Sequence, residues 1–522
     1  MKRLCLIALI AAPWAPAALA QDDASARDRG GRVVAVAPYI EASQLVVAEL
    51  SPGSDAVTYS QVATGVDATA RGRNNGGSVS IRYEYNVGYG DAVDSNTVSG
   101  VARGFASVVP QVLTVEGGAL AARTRVDGSG SATLNPVLGE ESESRIYSAY
   151  VGPTLATRAG DLDVSASYRL GYTRVESPDA LLTAPGAAPV DVFDDSVVQV
   201  ASARVGTRPD EPLPVGVGVG AGFVQEDVSN LDQRVRDMYV RGDVTVPVTQ
   251  SLALVGGVGY EDVEVSSRDA LRDANGLPVI GSDGRLVTDG SQPRRIAYET
   301  DGLIWDVGVM WRPSRRTSLA ATVGRRYDST TYYGSFAYAP NNRSSVNIAV
   351  YDSISNFGNV LTNALANLPT EFTANRNALT GDLAGCVASS EGGNCIAGPL
   401  SSVRSAVFRS RGVAASYSRR VGRMNAGIGA GYDRRRFIAA PGTVLEAADG
   451  IIDESYYLAA YLSGQLGRRA GFTANAYANW LESGFADGGN VFAAGGSASY
   501  SRAIIDRLSA RAAVALDYLD SD

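Results

Sequence analysis

Two cysteines and four acidic pairs are the residues of this 522-residue chain whose types and spacing could do chemistry. Histidine is absent from the whole sequence. Nucleophile activation of the Ser-His-Asp or Cys-His kind needs an imidazole base, so that chemistry is excluded. Glycoside hydrolysis by carboxylates alone survives the exclusion. The pairs Glu140–Glu141, Asp194–Asp195, Asp210–Glu211 and Asp453–Glu454 lie in or beside expected loops, however, where solvated charge is the plainer reading. No enzymatic activity is expected, and no cofactor. Cys386 and Cys395 are separated by "VASSEGGN". In an oxidising compartment such an isolated pair reads as one disulfide closing a small loop. Two sulfurs with no imidazole make a poor metal site, and no metal is expected.

Two other stretches invite a ligand and fail on spacing. "GVGVGAG" (216–222) meets Ala221 or Phe223 where a nucleotide-binding loop needs its last glycine. No helix follows to present its N-terminus to a phosphate. Small residues on the inner side of a strand are the better account. "DANGLPVIGSDGRLVTDG" (273–290) has Asp and Asn at turn spacing without matching a calcium loop, and reads as a hairpin loop.

The elements that must position these residues are strands. "SVSIRYEYNVGY" (78–89) sets Val79, Ile81, Tyr83, Tyr85, Val87 and Tyr89 against Ser78, Ser80, Arg82, Glu84, Asn86 and Gly88. A period of two is the mark of a strand. "LDVSASYRLGY" (162–172), "MYVRGDVTV" (238–246), "MNAGIGAGYD" (424–433) and "FTANAYANW" (472–480) repeat the pattern. Their apolar faces often end in Tyr or Trp, which favour a membrane–water interface.

Residues 1–20 carry a basic start, an apolar run and Ala18-x-Ala20, the form of a cleaved secretory signal peptide. A short periplasmic segment, 21–32, is expected to follow. Lysine is absent after Lys2, and without Lys2 and Arg3 the chain holds 44 basic against 55 acidic residues. That balance argues against nucleic acid as a partner. The all-arginine usage reads either as coding composition or as an Arg-lined lumen that contacts anions or sugars. No apolar run of transmembrane-helix length follows the signal peptide, but barrel strands need only about 9–11 residues, half of them polar.

Short connections carrying turn residues, such as "RAGD" (158–161), "RPSRRTS" (312–318), "APNNRSS" (339–345), "RRVGR" (419–423) and "GRRAG" (467–471), alternate with long polar ones at 127–143, 177–191, 267–295, 355–402 and 438–451. This is the pattern of an up-and-down antiparallel barrel with tight periplasmic turns and larger outer loops. The expected fold is therefore an all-β transmembrane barrel of about 20–22 strands over 33–522, with the Tyr/Val faces in lipid and the Arg/Glu faces inside. Twenty-one strands can be placed, the first near 33–50 and the last near 508–519. Bacterial single-chain barrels close with an even number, so either one strand is uncounted or the closing strand is missing, and a seam is expected between those two segments. Segment 355–402 has Phe357, Val360, Leu361, Ala364, Leu365 and Leu368 at helical spacing, followed by the cysteine pair. It either folds into the lumen or caps it from outside.

"APYIEASQ" (37–44), "YVGPTLATRAGDLDVSASYRLGYTRVE" (150–176), "NALANLPTEFTANRNALTGDLAGC" (363–386) and "AGIGAGYDRR" (426–435) resemble an uncharacterised family of proteobacterial outer-membrane β-barrel proteins. That family is associated with the PEP-CTERM sorting and exopolysaccharide system, and some members are labelled as an auxiliary preprotein translocase subunit. The resemblance implies a location in the Gram-negative outer membrane, with the barrel assembly machinery and outer-membrane lipid as partners. It also implies a pore or export channel with polysaccharide as cargo. A non-conducting surface or polysaccharide-binding barrel is the alternative reading. The small single-span helix that the translocase label implies is missing here.

Overall fold

A computed structural model describes residues 2–9, 33–51, 56–90, 94–126, 132–133, 143–176, 181–182, 189–190, 195–377, 379–389, 394–396, 400, 406–485 and 490–521. After the leader, strands run as β2 Val33–Ser51, β3 Ala56–Arg71, β4 Asn75–Tyr89, β5 Ser95–Val109, β6 Leu113–Val126, β7 Glu143–Ala159 and β8 Leu162–Glu176. The next group is β9 Asp195–Thr207, β10 Gly216–Val228, β11 Gln233–Pro247, β12 Leu252–Ser267, β13 Arg295–Ser314, β14 Thr317–Arg326, β15 Ser329–Asn341 and β16 Ser344–Ser355. The last are β17 Val407–Val421, β18 Met424–Ile438, β19 Ile452–Gln465, β20 Ala470–Glu482, β21 Val491–Ile505 and β22 Leu508–Ser521. Each pairs antiparallel with its neighbours in sequence. All twenty-one expected strands are present. The β14–β15 turn falls at Tyr327 and Asp328, slightly earlier than the sequence pattern placed it. Both residues have positive φ, 53° and 49°, the backbone that two-residue hairpin turns require.

The ring of 22 closes through one more strand, β1, Lys2–Leu9. It lies antiparallel to both β2 and β22, with Ile7 opposite Val47 on one side and Ala515 on the other. The first and last of the expected strands share no direct ladder, but the open seam expected between them is not found, because β1 pairs with both edges. The leader, read from sequence as no part of the fold, occupies the gap. There its backbone pairs with the edges of β2 and β22, whose groups left unpaired in lipid would cost several kcal/mol each.

The alternation settles which face is which. In β4, Ser78, Ser80, Arg82, Glu84 and Asn86 are buried, whereas Ile81, Tyr83, Tyr85 and Tyr89 are exposed. Tyr168, Leu170, Val240, Leu303, Trp305 and Trp480 are likewise exposed. An apolar exterior around a polar interior makes this an outer-membrane barrel. Ring stacking strengthens the assignment. Tyr432, Tyr456, Trp480, Phe492 and Tyr518 form a row across β18–β22, with successive centroids 5.0, 6.5, 6.3 and 6.1 Å apart. All five lie toward the long-loop ends of their strands, where an aromatic girdle meets the headgroups.

Candidate functional site

The segment between β16 and β17 folds into the lumen, which decides between the two readings left open by its sequence. Its first element is a helix, α1, Phe357–Ala366. The side chain of Asn356 caps it by accepting from the backbone N–H of Phe357 at 2.5 Å. Glu226, buried on β10, accepts from the N–H groups of Asn356 at 3.0 Å and Asn359 at 3.2 Å. A carboxylate at a helix N-terminus meets both orphan donors and the positive end of the dipole. The approach is close: a Cβ on Gly358 would meet Glu226 Oε1 at 2.7 Å and collide with Ser196.

The apolar stripe of α1 finds an apolar wall inside the barrel. Phe357, Leu361, Leu365 and Leu368 pack with Val101, Leu120, Ala122, Ile146, Tyr150 and Val175, all buried and all from strands β5–β8. Phe372, Leu383, Val387, Ile396 and Leu400 complete the cluster. These wall residues interrupt the polar lining just where the insert covers them. Burial of such side chains contributes about 1.5–3 kcal/mol each. On the polar side of the helix, Arg169 of β8 donates to Asn363.

The chain then descends to the opposite mouth and returns. Glu371 forms a two-pronged ion pair with Arg71 at the short-turn end of β3. The N–H of Phe372 donates to Ser78 at 3.0 Å. On the way back, Arg376 donates to Ser99 Oγ at 2.7 Å and Ser80 Oγ at 3.0 Å, while its carbonyl accepts from Asn475 at 3.0 Å. Gly381 holds φ at +71° against Glu84, where no Cβ fits. Asp382 then pairs with Arg123, near the long-loop end of β6, at 2.8 Å. The insert therefore reaches from one mouth to the other. Within it, Thr373–Arg376, Leu383–Ala388 and Asn394–Cys395 form a small sheet. Its register sets Cys386 directly opposite Cys395.

The remaining wall is lined by ion pairs. Arg241 grips Asp306 at 2.6 and 2.7 Å, and Asp243 joins Arg241 to Arg204. Higher up, Arg326 binds Asp237 at 3.0 Å and Glu261 at 2.8 Å. Tyr327 lies between two guanidiniums, 4.7 Å from Arg326 and 5.1 Å from Arg409, and donates to Asp237 at 3.0 Å. Asp352 holds Arg409 at 2.7 Å and Arg411 at 3.0 Å. The inner glycines of "GVGVGAG" leave room for Arg204 and Tyr239 on the adjacent strands, as a strand rather than a nucleotide loop should.

The described members of the acidic pairs make local contacts. Glu211 pairs with Arg158, and Glu454 pairs with Arg434 at 3.2 Å. Asp453 departs from the solvated reading, being buried and accepting from Ser483 at 3.2 Å and the N–H of Gly484 at 3.1 Å. Glu140, Glu141 and Asp194 lie outside the described residues. Segment 268–290 is a bridged hairpin loop with Asp273 accepting from its own turn. Among the described residues no group of three or more metal-ligating side chains occurs. Sequence reasoning put arginines and carboxylates on the lumen side but missed that they pair with one another across neighbouring strands. The signal was present: Arg204, Arg241, Asp243 and Asp306 all occupy inner positions of strands that turned out to be near neighbours.

No protein-family model matches the chain, and no curated protein matches it. Among solved structures it is similar to the FrpB iron transporter from Neisseria meningitidis, at 10% identity and TM-score 0.38, covering 88% of this chain and 79% of that one. It is also similar to the copper transporter OprC, at 11% identity and TM-score 0.36, covering 94% and 81%. The alcaligin receptor FauA from Bordetella pertussis matches at 9% identity and TM-score 0.25, covering 100% and 76%.

Proposed function

We propose that this barrel is a gated pore of the outer membrane whose own β16–β17 segment is the gate. The observation that carries the reading is the course of that segment. It runs mouth to mouth through the lumen and is held by separable polar ties, Glu371–Arg71, Asp382–Arg123 and Glu226–α1. A ring of 22 strands encloses space enough for a channel or a plugged lumen, and a hydrophilic solute crossing it must displace the insert. The resemblance to the exopolysaccharide-associated barrels makes exported polysaccharide the cargo of choice, with no catalytic step assigned to the barrel itself.

Single-channel recording in planar bilayers tests this. The full chain should show brief, small openings. A variant with 357–400 replaced by a short Gly/Ser linker should conduct steadily and more strongly. A folded linker variant that does not conduct would overturn the proposal. One observation favours the alternative, a non-conducting surface barrel: the opposite wall satisfies its own charges, as in Arg241–Asp306, which leaves few groups to greet a solute. On that reading the full chain stays silent at every voltage, and so does a chain whose Asp382–Arg123 tie is cut.

A further inference from the structure

We propose that the short-turn mouth of the lumen is an anion-binding vestibule that receives the carboxylates of an acidic oligosaccharide. The inference rests on the pore reading above and adds the class of cargo. A cavity of about 380 Å³ opens there between the insert and the ends of β2, β3 and β16–β19. Arg71, Arg343 and Arg420 line it, together with Asn425 and Tyr461. Arg71 already holds a carboxylate with both prongs, that of Glu371 on the insert. Arg343 and Arg420 are exposed and have no ion-pair partner among the described residues.

The charge there runs against the molecule as a whole, whose formal net charge is −9. The five consecutive short turns from "RPSRR" through "RRVGR" and "GRR" to "IIDR" carry arginines and a single acid, Asp506. Such a field concentrates anions at a mouth, and a guanidinium fork fits a carboxylate in two-pronged geometry. The side on which these groups stand separates cargo from lipid. Arg420 alternates along β17 with Ser418, which bonds Ser345 across the inner face at 2.7 Å, and so stands on the lumen side of the wall. Arg343, in the β15–β16 turn, accepts at its carbonyl from the N–H of Arg420 at 2.7 Å and lines the same cavity. The cavity also exceeds a lone phosphate and falls in the size range of ligand pockets, roughly 300–1,000 Å³. The buried ring of Tyr461 offers an apolar wall to a sugar face.

The experiment measures binding of a short oligogalacturonate to the full chain in neutral detergent micelles. A neutral gluco-oligosaccharide of equal length, inorganic phosphate and phosphatidylglycerol are the comparison probes. Oligogalacturonate should bind and the neutral oligomer should not, with affinity falling as salt rises. Arg343→Gln and Arg420→Gln should each weaken binding roughly tenfold. Arg468→Gln with Arg469→Gln, on a turn outside the cavity, should leave it unchanged. A heat-shift on gels confirms that each variant is a folded barrel. Equal losses from all these variants would reduce the effect to surface charge and overturn the proposal. Phosphate or phosphatidylglycerol binding at the same arginines in place of the oligomer would overturn it as well. Failure here with conductance intact removes the vestibule and keeps the pore; a silent barrel that still binds removes the pore.

Discussion

Arg123 and Asp382 stand 259 residues apart in sequence and 2.8 Å apart in the lumen, each almost wholly shielded from water. Removing one partner of a buried pair leaves the other charge stranded, at a cost of about 3–5 kcal/mol. On the gated-pore proposal the stranded charge has an escape, because the insert would move while the barrel stays folded. Asp382→Asn is therefore expected to loosen the insert without abolishing assembly. Limited proteolysis should cut within 377–396 sooner than in the unmodified chain, and open probability in bilayers should rise. A variant with unchanged proteolysis and unchanged current would show that the pair does not hold the gate.

Neighbouring residues on one strand report on opposite solvents. Ala476 is exposed on the outer face of β20, while Asn475 donates inward to Arg376 at 3.0 Å. Arginine on the lipid face near the midplane costs about 2–4 kcal/mol. Asn475→Ala loses one hydrogen bond, worth about 1 kcal/mol. Ala476→Arg should cut the yield of heat-shifted, folded barrel far more than Asn475→Ala. Equal yields would sink the assignment of faces.

The barrel was legible because its signal is local and repeated. Each strand such as β4, Asn75–Tyr89, declares its two faces by alternation alone, and the short turns declare the meander. The helix from Phe357 was legible for the same reason. Its destination was not. Whether that apolar stripe met a lumen wall or a cap of outer loops depended on Val101, Leu120 and Ile146 breaking the polar lining on distant strands. In any one strand those residues read as ordinary variation. Glu226 meeting Asn356, 130 positions later, left no local trace either. That Lys2–Leu9 pairs with both β2 and β22 was not legible either, because the run that reads as a leader carries no mark of the two distant strands it lies between.

Cys386 and Cys395 oppose each other in the two-strand ladder of the insert. Directly opposed residues bring Cα atoms to about 4.5–5.5 Å, inside the span a disulfide needs. Oxidation in the exported protein is expected to join them. Peptide mass spectrometry without reduction should find the cross-linked pair. Free thiols at both positions in purified protein would exclude it.

Outside the spanning strands, Asp232 clasps the outer loops. It accepts from Arg268 at 2.8 Å and from Arg294 at 3.0 Å. Partial burial pushes its carboxyl up, but the hydrogen bonds and charges of the two arginines outweigh that and leave it below the ordinary aspartate value. A carboxyl depressed on folding lends stability that is complete above its unfolded value, near pH 4. That stability is lost as pH falls through the lower folded value. Amide protection in 268–294, taken relative to the intrinsic exchange rate at each pH, should thus fall only in strong acid. In Asp232→Asn it should be lower at neutral pH and insensitive to that acid step. Loss of protection between about pH 5 and 7 in the unmodified chain would contradict the assignment.

The seam gives the last expectation. β2 and β22 are both antiparallel to Lys2–Leu9 and hence parallel to one another, separated by the width of one strand. Val46, Val47 and Ala48 on one edge and Val514, Ala515 and Leu516 on the other take their partners from Leu6–Ala8. Cleavage after Ala20, as the leader pattern directs, withdraws those partners. Backbone groups left facing lipid cost several kcal/mol each, so the freed edges should fray. Comparing unprocessed and processed forms by hydrogen exchange should show protection falling at 45–48 and 514–516, and holding at strands far around the ring such as β11 and β12. Equal protection in both forms would mean that the two edges meet directly once the leader leaves, or that another strand takes its place, and that Lys2–Leu9 is not what keeps the ring closed.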